Sequence, residues 1–295
     1  MTSDIGSPPA TAFRTVGPLR LMTWPALEAS GADAAVTARS GGVSSGPYAT
    51  LNLSLTVGDD PDCVLENRRR LAAALGARLE DFVFAGQVHG AAVCVVGEAD
   101  RGSGAFSPDD AIGSAGGADA LVTASPGVVL AILTADCVPV LLHDPVADVL
   151  ACVHAGWRGT VAGVTAAAIA AMQGLGSRPS DVIAGLGPAI AADRYQVGPD
   201  VHQAVTRAFG SAGFIRPDPS APGHWLLDLW AANRHALREA GVPALQIHTT
   251  TFPTGPVSPA GPGPFFSDRA ARPCGRLALI ARLPAPGQKP MDVTT

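Results

Sequence analysis

Short apolar runs set off by glycine- and proline-rich punctuation give the chain its rhythm. Val138–Leu142 and Val149–Val153 are two such runs around the turn-rich segment Asp144–Asp148, and strand, polar turn, strand is the pattern of a hairpin. Leu19–Trp24, Phe82–Phe84, Ala91–Val96, Val128–Leu133, Val182–Leu186, Leu245–Thr251 and Leu277–Arg282 read as further strands. Ala118–Val122 marks a return to order after the Gly/Ser/Asp-rich loop Ala99–Gly117. A helical period appears where Asp60 and Pro61 supply an N-cap and a first-turn proline. Val64, Leu71 and Leu75 follow at helical spacing, and Gly76 supplies the stop. Val161–Met172, Pro199–Phe209 and Leu229–Ala240 are three more predicted helices. The last is capped by Asp228, carries Leu229, Ala232, Ala236 and Leu237 on one face, and stops at Gly241.

Strands and helices are interspersed and at least one hairpin is present, which predicts a mixed α/β (α+β) fold rather than a purely parallel sheet. No fixed-period repeat and no compositional break divides the chain, so one domain is expected over residues 17–284. A loose Ser/Pro/Thr/Ala-rich arm is expected at 1–16 and a polar tail at 285–295.

Composition narrows the function classes. The chain has 295 residues, 47% hydrophobic and 15% charged, which is the balance of a folded soluble protein. Its net charge of −5 argues against general binding to nucleic acid or to an anionic membrane. The first residues lack the apolar core of a signal peptide, and no apolar run approaches a membrane span. Five cysteines, an odd number in a mid-sized chain, do not form the pattern of a disulfide framework, so a reducing cytoplasm is the expected compartment.

The chemistry gathers at strand ends. If the hairpin pairs, Cys137 before its first strand and His154 after its second come side by side. His89, in Gln87–Gly90 between two short strands, is a third candidate beside a glycine. Two imidazoles and a thiolate make a three-ligand metal set, which leaves a coordination position open as catalytic zinc sites do. Inert structural roles are the ordinary alternative for such residues. After His154 the chain reads A-G-W-R-G-T into a predicted helix, where glycines and Arg158 suit an anion. The loop Ala38–Tyr48 combines glycines with Arg39, and a surface turn is its ordinary explanation. Asn67 and Arg68 lie within a predicted helix, where a solvated face explains them equally well.

Three segments, Q-V-H-G, T-A-D-C-V-P-V and V-H-A-G-W-R-G, resemble in this order the signatures of the laccase-domain family. Its members were named multicopper polyphenol oxidases and are now understood as zinc-dependent purine nucleoside phosphorylases. S-x-G-P-Y-A-T-L-N-L, V-G-D-D-P-D-x-V-x-x-N-R-R-R-L, L-G-P-A-I, Y-Q-V-G-P-D-V and F-F-S-D-R extend the similarity from about Leu19 to Leu283. The resemblance implies a single-domain layered α/β/β/α sandwich, mixed sheets flanked by helices, with His89, Cys137 and His154 as zinc ligands. It also implies phosphorolysis of adenosine, inosine or methylthioadenosine and deamination of adenosine, so a purine nucleoside and phosphate are the expected partners. In that chemistry Arg158 would hold phosphate charge, and Asp136, beside Cys137, would orient a ligand or donate a proton. Arg39, Asn67, Arg68 and Arg269 are secondary candidates for phosphate or ribose contacts.

One region departs from the family pattern. Members commonly carry a Cys-Thr pair before F-F-S and then S-Y-R-R-D-G. This chain reads T-T-F-P-T-G-P-V-S-P-A-G-P-G-P followed by S-D-R-A-A-R. Two rival functions follow from the same residues. A copper oxidase would use Cu2+ at the His2Cys set, usually with a weak axial methionine and further histidines. A non-catalytic metal-binding module would keep the site without turnover. The H-x-E and P-C-x-x-C signature of cytidine-deaminase-type enzymes is absent.

Overall fold

A computed structural model describes residues 10–113, 116–210, 213–256 and 261–288. Within them the strands are β1 (Ala12–Val16), β2 (Leu19–Thr23), β3 (Asp33–Thr37), β4 (Phe82–Phe84) and β5 (Val93–Val95). Next come β6 (Ala120–Thr123), β7 (Val129–Thr134), β8 (Val138–Asp144), β9 (Val149–Ala155) and β10 (Ile183–Leu186). The series closes with β11 (Gln196–Val197), β12 (Ile215–Pro217), β13 (Trp225–Leu227), β14 (Ile247–Thr249) and β15 (Leu277–Arg282). The helices are α1 (Pro25–Ala29), α2 (Pro61–Ala74), α3 (Trp157–Val161), α4 (Val164–Gly174), α5 (Pro199–Phe209) and α6 (Leu229–Glu239).

Two six-stranded mixed sheets carry the fold, in the orders β1-β2-β3-β15-β7-β4 and β14-β10-β8-β9-β6-β5, with a small third sheet β11-β13-β12. Side chains alternate across a strand, and β9 shows where each face goes. Val149, Ala151, Val153 and Ala155 pack under α4, α5 and α6. Leu150 and Cys152 point the other way, into a core shared with Met22, Val36, Ile132 and Leu279 of the first sheet. The outer face of that first sheet, through Leu21, Phe82, Val129 and Ile280, is covered by Leu71 and Ala72 of α2. The layers therefore run helix, sheet, sheet, helix, as the family resemblance implies. Both faces of β8 and β9 are covered, which is why each is an unbroken buried run instead of an alternating one. Truncating Leu141 or Leu150 between the sheets leaves a cavity costing about 2–5 kcal/mol.

Capping signals hold at α2 and α6. The Asp60 side chain accepts from the Asp62 N–H, and Asp228 accepts from the Ala231 N–H. Two expectations need correction. The helix expected at Val161–Met172 starts earlier and is broken into α3 and α4, because Gly163 between them takes a left-handed φ of 83° that ends one helix and starts the next. Within the expected arm, Ala12–Val16 is a strand paired antiparallel to β2 across Gly17, from Ala12↔Thr23 to Val16↔Leu19. Backbone pairing there outweighs the loop-like composition of the preceding residues. The remainder of the arm at 1–9, and 289–295 of the expected tail, lie outside the described residues.

Candidate metal centre

The hairpin forms as the apolar runs predict. β8 and β9 pair in register from Val138↔Ala155 to Asp144↔Val149, with Pro139 opposite His154. That return brings Cys137, the residue before β8, to the end of β9. His89 arrives from a separate turn, Gln87–Gly90. The Gln87 side chain fixes this turn to β7, donating to the Leu133 carbonyl at 2.8 Å and accepting from the Leu133 N–H at 2.7 Å. Donor atoms of His89, Cys137 and His154 all lie within 4.8 Å of one another, and the two imidazole centroids are 4.7 Å apart.

Asp119, absent from the sequence candidates, holds the cluster together. Its fully buried carboxylate accepts from His154 Nδ1 at 2.7 Å and from the backbone N–H groups of Val88, His89 and Gly90 at 3.3, 3.0 and 2.6 Å. One side chain thus fixes the tautomer of one histidine and the turn that carries the other. Burial alone would raise the Asp119 carboxyl, but the bonds from His154 and Gly90 outweigh it and hold the group below the usual carboxylate range. With Nδ1 committed, His154 presents Nε2 to the cluster. The chemistry of the donor set is also right for a metal. Burial would raise the Cys137 thiol, yet His154 and His89 overcome it and bring it down to about 6. Burial opposes charge on His154, but Cys137 and Asp119 raise it to about 9, so the pair shares a proton that a metal would displace.

Glycine clears the space. A Cβ on Gly156 would stand 2.8 Å from Cys137 Sγ and 3.2 Å from His89 Cδ2, and one on Gly159 would stand 2.8 Å from the Gly90 carbonyl. The glycines after His154 therefore let the chain pass directly beneath the cluster. His89 and Asp136 also hold left-handed φ values of 61° and 95°, a backbone cost that recurs at functional sites.

The cluster opens into a cavity of about 900 Å3 whose walls include Trp157, Arg158, Tyr195, Arg269 and Arg272. Arg158 lies over Trp157 at 4.5 Å and Arg269 over Tyr195 at 5.2 Å. Burial pushes the Tyr195 phenol well above its ordinary value, and Cys137 adds to the effect, so it stays protonated. Asp136 lines the same cavity, but the carboxylate that orients a histidine is Asp119. The Asp136 oxygens accept from the Thr254 hydroxyl and the Arg269 N–H, tying the 250s loop and the F-F-S-D-R segment to the end of β7.

The other candidates separate. Arg269 is in the cavity wall. Arg68 borders it but is buried, with Nε donating to the Leu53 carbonyl at 2.9 Å and Nη1 to the Gly104 and Ala105 carbonyls at 2.6 and 2.8 Å. Asn67 is fully buried too; its amide nitrogen donates to Ser44 and to the Thr50 and Asn52 carbonyls while its oxygen accepts from the Val43 N–H. The solvated helix face expected for this pair is thus replaced by two buried clamps on neighbouring loops, because those loops carry backbone groups that need partners. Arg39 lies outside the metal cavity, bonded to the Ala49 carbonyl.

Comparison with known proteins identifies the family. The family described as multi-copper polyphenol oxidoreductase laccase matches residues 33–283. The chain is 45% identical to a purine nucleoside phosphorylase of Deinococcus radiodurans over 72% of its own length and 77% of that protein's. It is 38% identical to adenosine deaminase RL5, from an unknown prokaryotic organism, over 75% of its own length and 84% of that protein's. The crystal structure of YlmD from Geobacillus stearothermophilus superposes with a TM-score of 0.84 at 35% identity, covering 94% of this chain and all of that one. Fold, ordered motifs and a match over most of its length place the chain in the multi-copper polyphenol oxidoreductase laccase family.

Proposed function

We propose that the chain is a zinc-dependent purine nucleoside phosphorylase, acting on adenosine, inosine or methylthioadenosine, that also deaminates adenosine. The observation that carries this reading is the His89–Cys137–His154 cluster opening into an arginine-lined cavity, in a chain similar to proteins named for both activities. The residues fit zinc: two imidazole nitrogens and one sulfur with donor atoms within 4.8 Å of one another, a thiol driven toward thiolate, and one histidine set by Asp119 would hold it. Bound there, zinc supplies Lewis-acid chemistry and activation of an oxygen nucleophile near neutral pH.

The chain's own groups do the rest. In phosphorolysis a phosphate oxygen forms a bond to the ribose anomeric carbon as the bond to the purine nitrogen breaks, and the departing electron pair stays on the base. Arg158 and Arg269 supply guanidinium donors at the cavity wall for the phosphate charge. Tyr195, protonated across the working pH range, is a hydrogen-bond donor for the leaving purine. Asp136 sets the position of Arg269 through its backbone N–H. Among the described residues no methionine supplies the axial ligand of the copper reading, since Met22 and Met172 are buried in apolar layers away from the cavity walls. Among the described residues no second cluster of three metal donors accompanies the first.

The reading places the protein in the cytoplasm, with all five cysteines as free thiols. No helix among the described residues is long and apolar enough to cross a membrane. Incubating zinc-loaded protein with adenosine, with and without phosphate, tests the activity. Adenine with ribose 1-phosphate is expected from phosphorolysis and inosine from deamination; neither product from fully loaded protein overturns the proposal.

A further inference from the structure

The glycine-rich loop and its Arg39 are not used by the metal cavity, and they build a cavity of their own. It measures about 450 Å3, and its walls include Arg20 from β2, Arg39, Thr50, Pro262 and Pro264. Arg39 is half-buried. Its Nε and Nη2 both donate to one acceptor, the Ala49 carbonyl, at 2.9 and 2.8 Å, and its plane lies 4.5 Å over the Phe266 ring. A guanidinium has five N–H donors, so three have no protein acceptor among the described residues. Arg20 lies over Phe13 at 3.9 Å and likewise has no carboxylate partner among the described residues.

Two arginines thus share a cavity that no described acidic side chain lines, in a protein whose net charge is −5. Half-burying the Arg39 guanidinium without a counter-charge costs free energy that an entering anion restores, and the exposed Arg20 adds a second positive charge to the same wall. The planar fork of donors matches the oxygens of a phosphoryl group. The volume far exceeds the roughly 30 Å3 share of one water and falls within the about 300–1,000 Å3 of small-molecule pockets. The remaining walls, Ala38, Ala49 and the two prolines, offer apolar contact to an organic portion.

We propose that Arg20 and Arg39 form a second binding site, separate from the metal cavity, for a phosphate monoester. The site is independent of the reaction assigned to the metal cavity. Phe266, under Arg39, is followed directly by Ser267, Asp268 and Arg269, so the new site shares a segment with the cavity wall.

Calorimetric titration of the zinc-loaded protein with AMP, ribose 5-phosphate and inorganic phosphate tests this, using wild type, Arg20→Gln, Arg39→Lys and Arg158→Ala. The expected result is monoester binding that weakens at least about tenfold in Arg20→Gln and persists in Arg158→Ala. Arg20 is exposed on an edge-proximal strand, so Arg20→Gln reads the site without disturbing the fold, whereas Arg39→Lys also loosens the Ala49 contact. Unchanged affinity of Arg20→Gln for all three probes overturns the proposal. Binding lost only in Arg158→Ala places the ligand in the metal cavity and overturns it as well. Equal affinity for inorganic phosphate and the monoesters overturns the monoester assignment in favour of free phosphate. Persistence of this binding in a protein with no adenosine turnover would sink the enzyme reading and leave this site standing.

Discussion

Replacing Asp119 with asparagine tests the centre of the site with almost no change in shape. Oδ1 accepts from His154 Nδ1 at 2.7 Å and His89 N–H at 3.0 Å; Oδ2 accepts from Gly90 N–H at 2.6 Å and Val88 N–H at 3.3 Å. Asparagine keeps one acceptor and turns the other into a donor. If the amide nitrogen replaces Oδ2, it faces two N–H groups, and the Gly90 bond alone is worth about 1–3 kcal/mol when left buried and unmade. If it replaces Oδ1, His154 must accept at Nδ1, which moves the ring proton to Nε2 and blocks the nitrogen that faces the cluster. Either orientation weakens the metal. Losses of this kind run to about 10–100-fold in affinity, or about 1.4–2.7 kcal/mol. Urea denaturation with and without a fixed free zinc concentration separates the two costs. The apo difference reads the broken turn, and the zinc-dependent increment, which follows the logarithm of affinity, reads the metal. A chelator competition gives the affinity directly. Asp119→Asn protein with wild-type zinc affinity and wild-type apo stability would refute the reasoning.

Three further perturbations bear on other links. Gly156→Ala pushes a methyl to 2.8 Å from Cys137 Sγ, so chelator competition should show weaker zinc binding with the far-ultraviolet spectrum unchanged; unaltered affinity would show that the cluster has slack. Arg68→Ala removes the donors of three buried carbonyls and should cost roughly 3 kcal/mol in urea denaturation, and a loss under about 1 kcal/mol would mean the loops at 53 and 104–105 find other partners. His143 is buried with Nδ1 2.8 Å from the Ser30 hydroxyl, and burial holds its pKa below the ordinary value against the opposing pull of Asp148 and Asp144. The folded state then binds fewer protons than the unfolded one, so its stability is present above about pH 6.5 and falls as pH drops toward the folded pKa. The slope is at most about 1.4 kcal/mol per pH unit, and it should be missing from His143→Asn; equal slopes in both proteins would assign the acid loss elsewhere.

Local signals carry most of the fold. The hairpin is legible because two apolar runs of matched length flank a polar turn, and α2 because Asp60, Pro61 and Gly76 mark both ends of one apolar period. What local signals miss is decided by contacts remote in sequence. Ala12–Val16 is a strand because β2 offers it backbone partners. Asn67 and Arg68 read as a solvated face because polar residues on a helix usually are one. Only the arrival of the 43–54 and 104–105 segments, whose carbonyls and N–H groups need partners, turns them inward. Arg39 shows the converse: a plausible phosphate ligand by composition, it is carried by its loop to another cavity.

The His89–Cys137–His154 cluster is partly recoverable, because hairpin pairing brings Cys137 and His154 together without any long-range knowledge, whereas His89 comes from a turn between β4 and β5. The carboxylate partner is not recoverable in that way. Asp136 neighbours Cys137 in sequence, whereas Asp119 is 35 positions from His154 and reaches it only because β6 pairs with β9, the Asp119 carbonyl accepting the His154 N–H at 2.7 Å. Sequence adjacency favours the wrong aspartate, and sheet register selects the right one. The same register leaves Asp136 free to hold Thr254 and Arg269, so the two aspartates divide the work. Asp119 holds His154 and the turn that carries His89, while Asp136 holds the Arg269 segment of the cavity wall and, through Thr254, ties the 250s loop behind it. The altered 250s loop is therefore anchored to the site through Asp136, and changes in that loop should move substrate preference while leaving the metal donors in place.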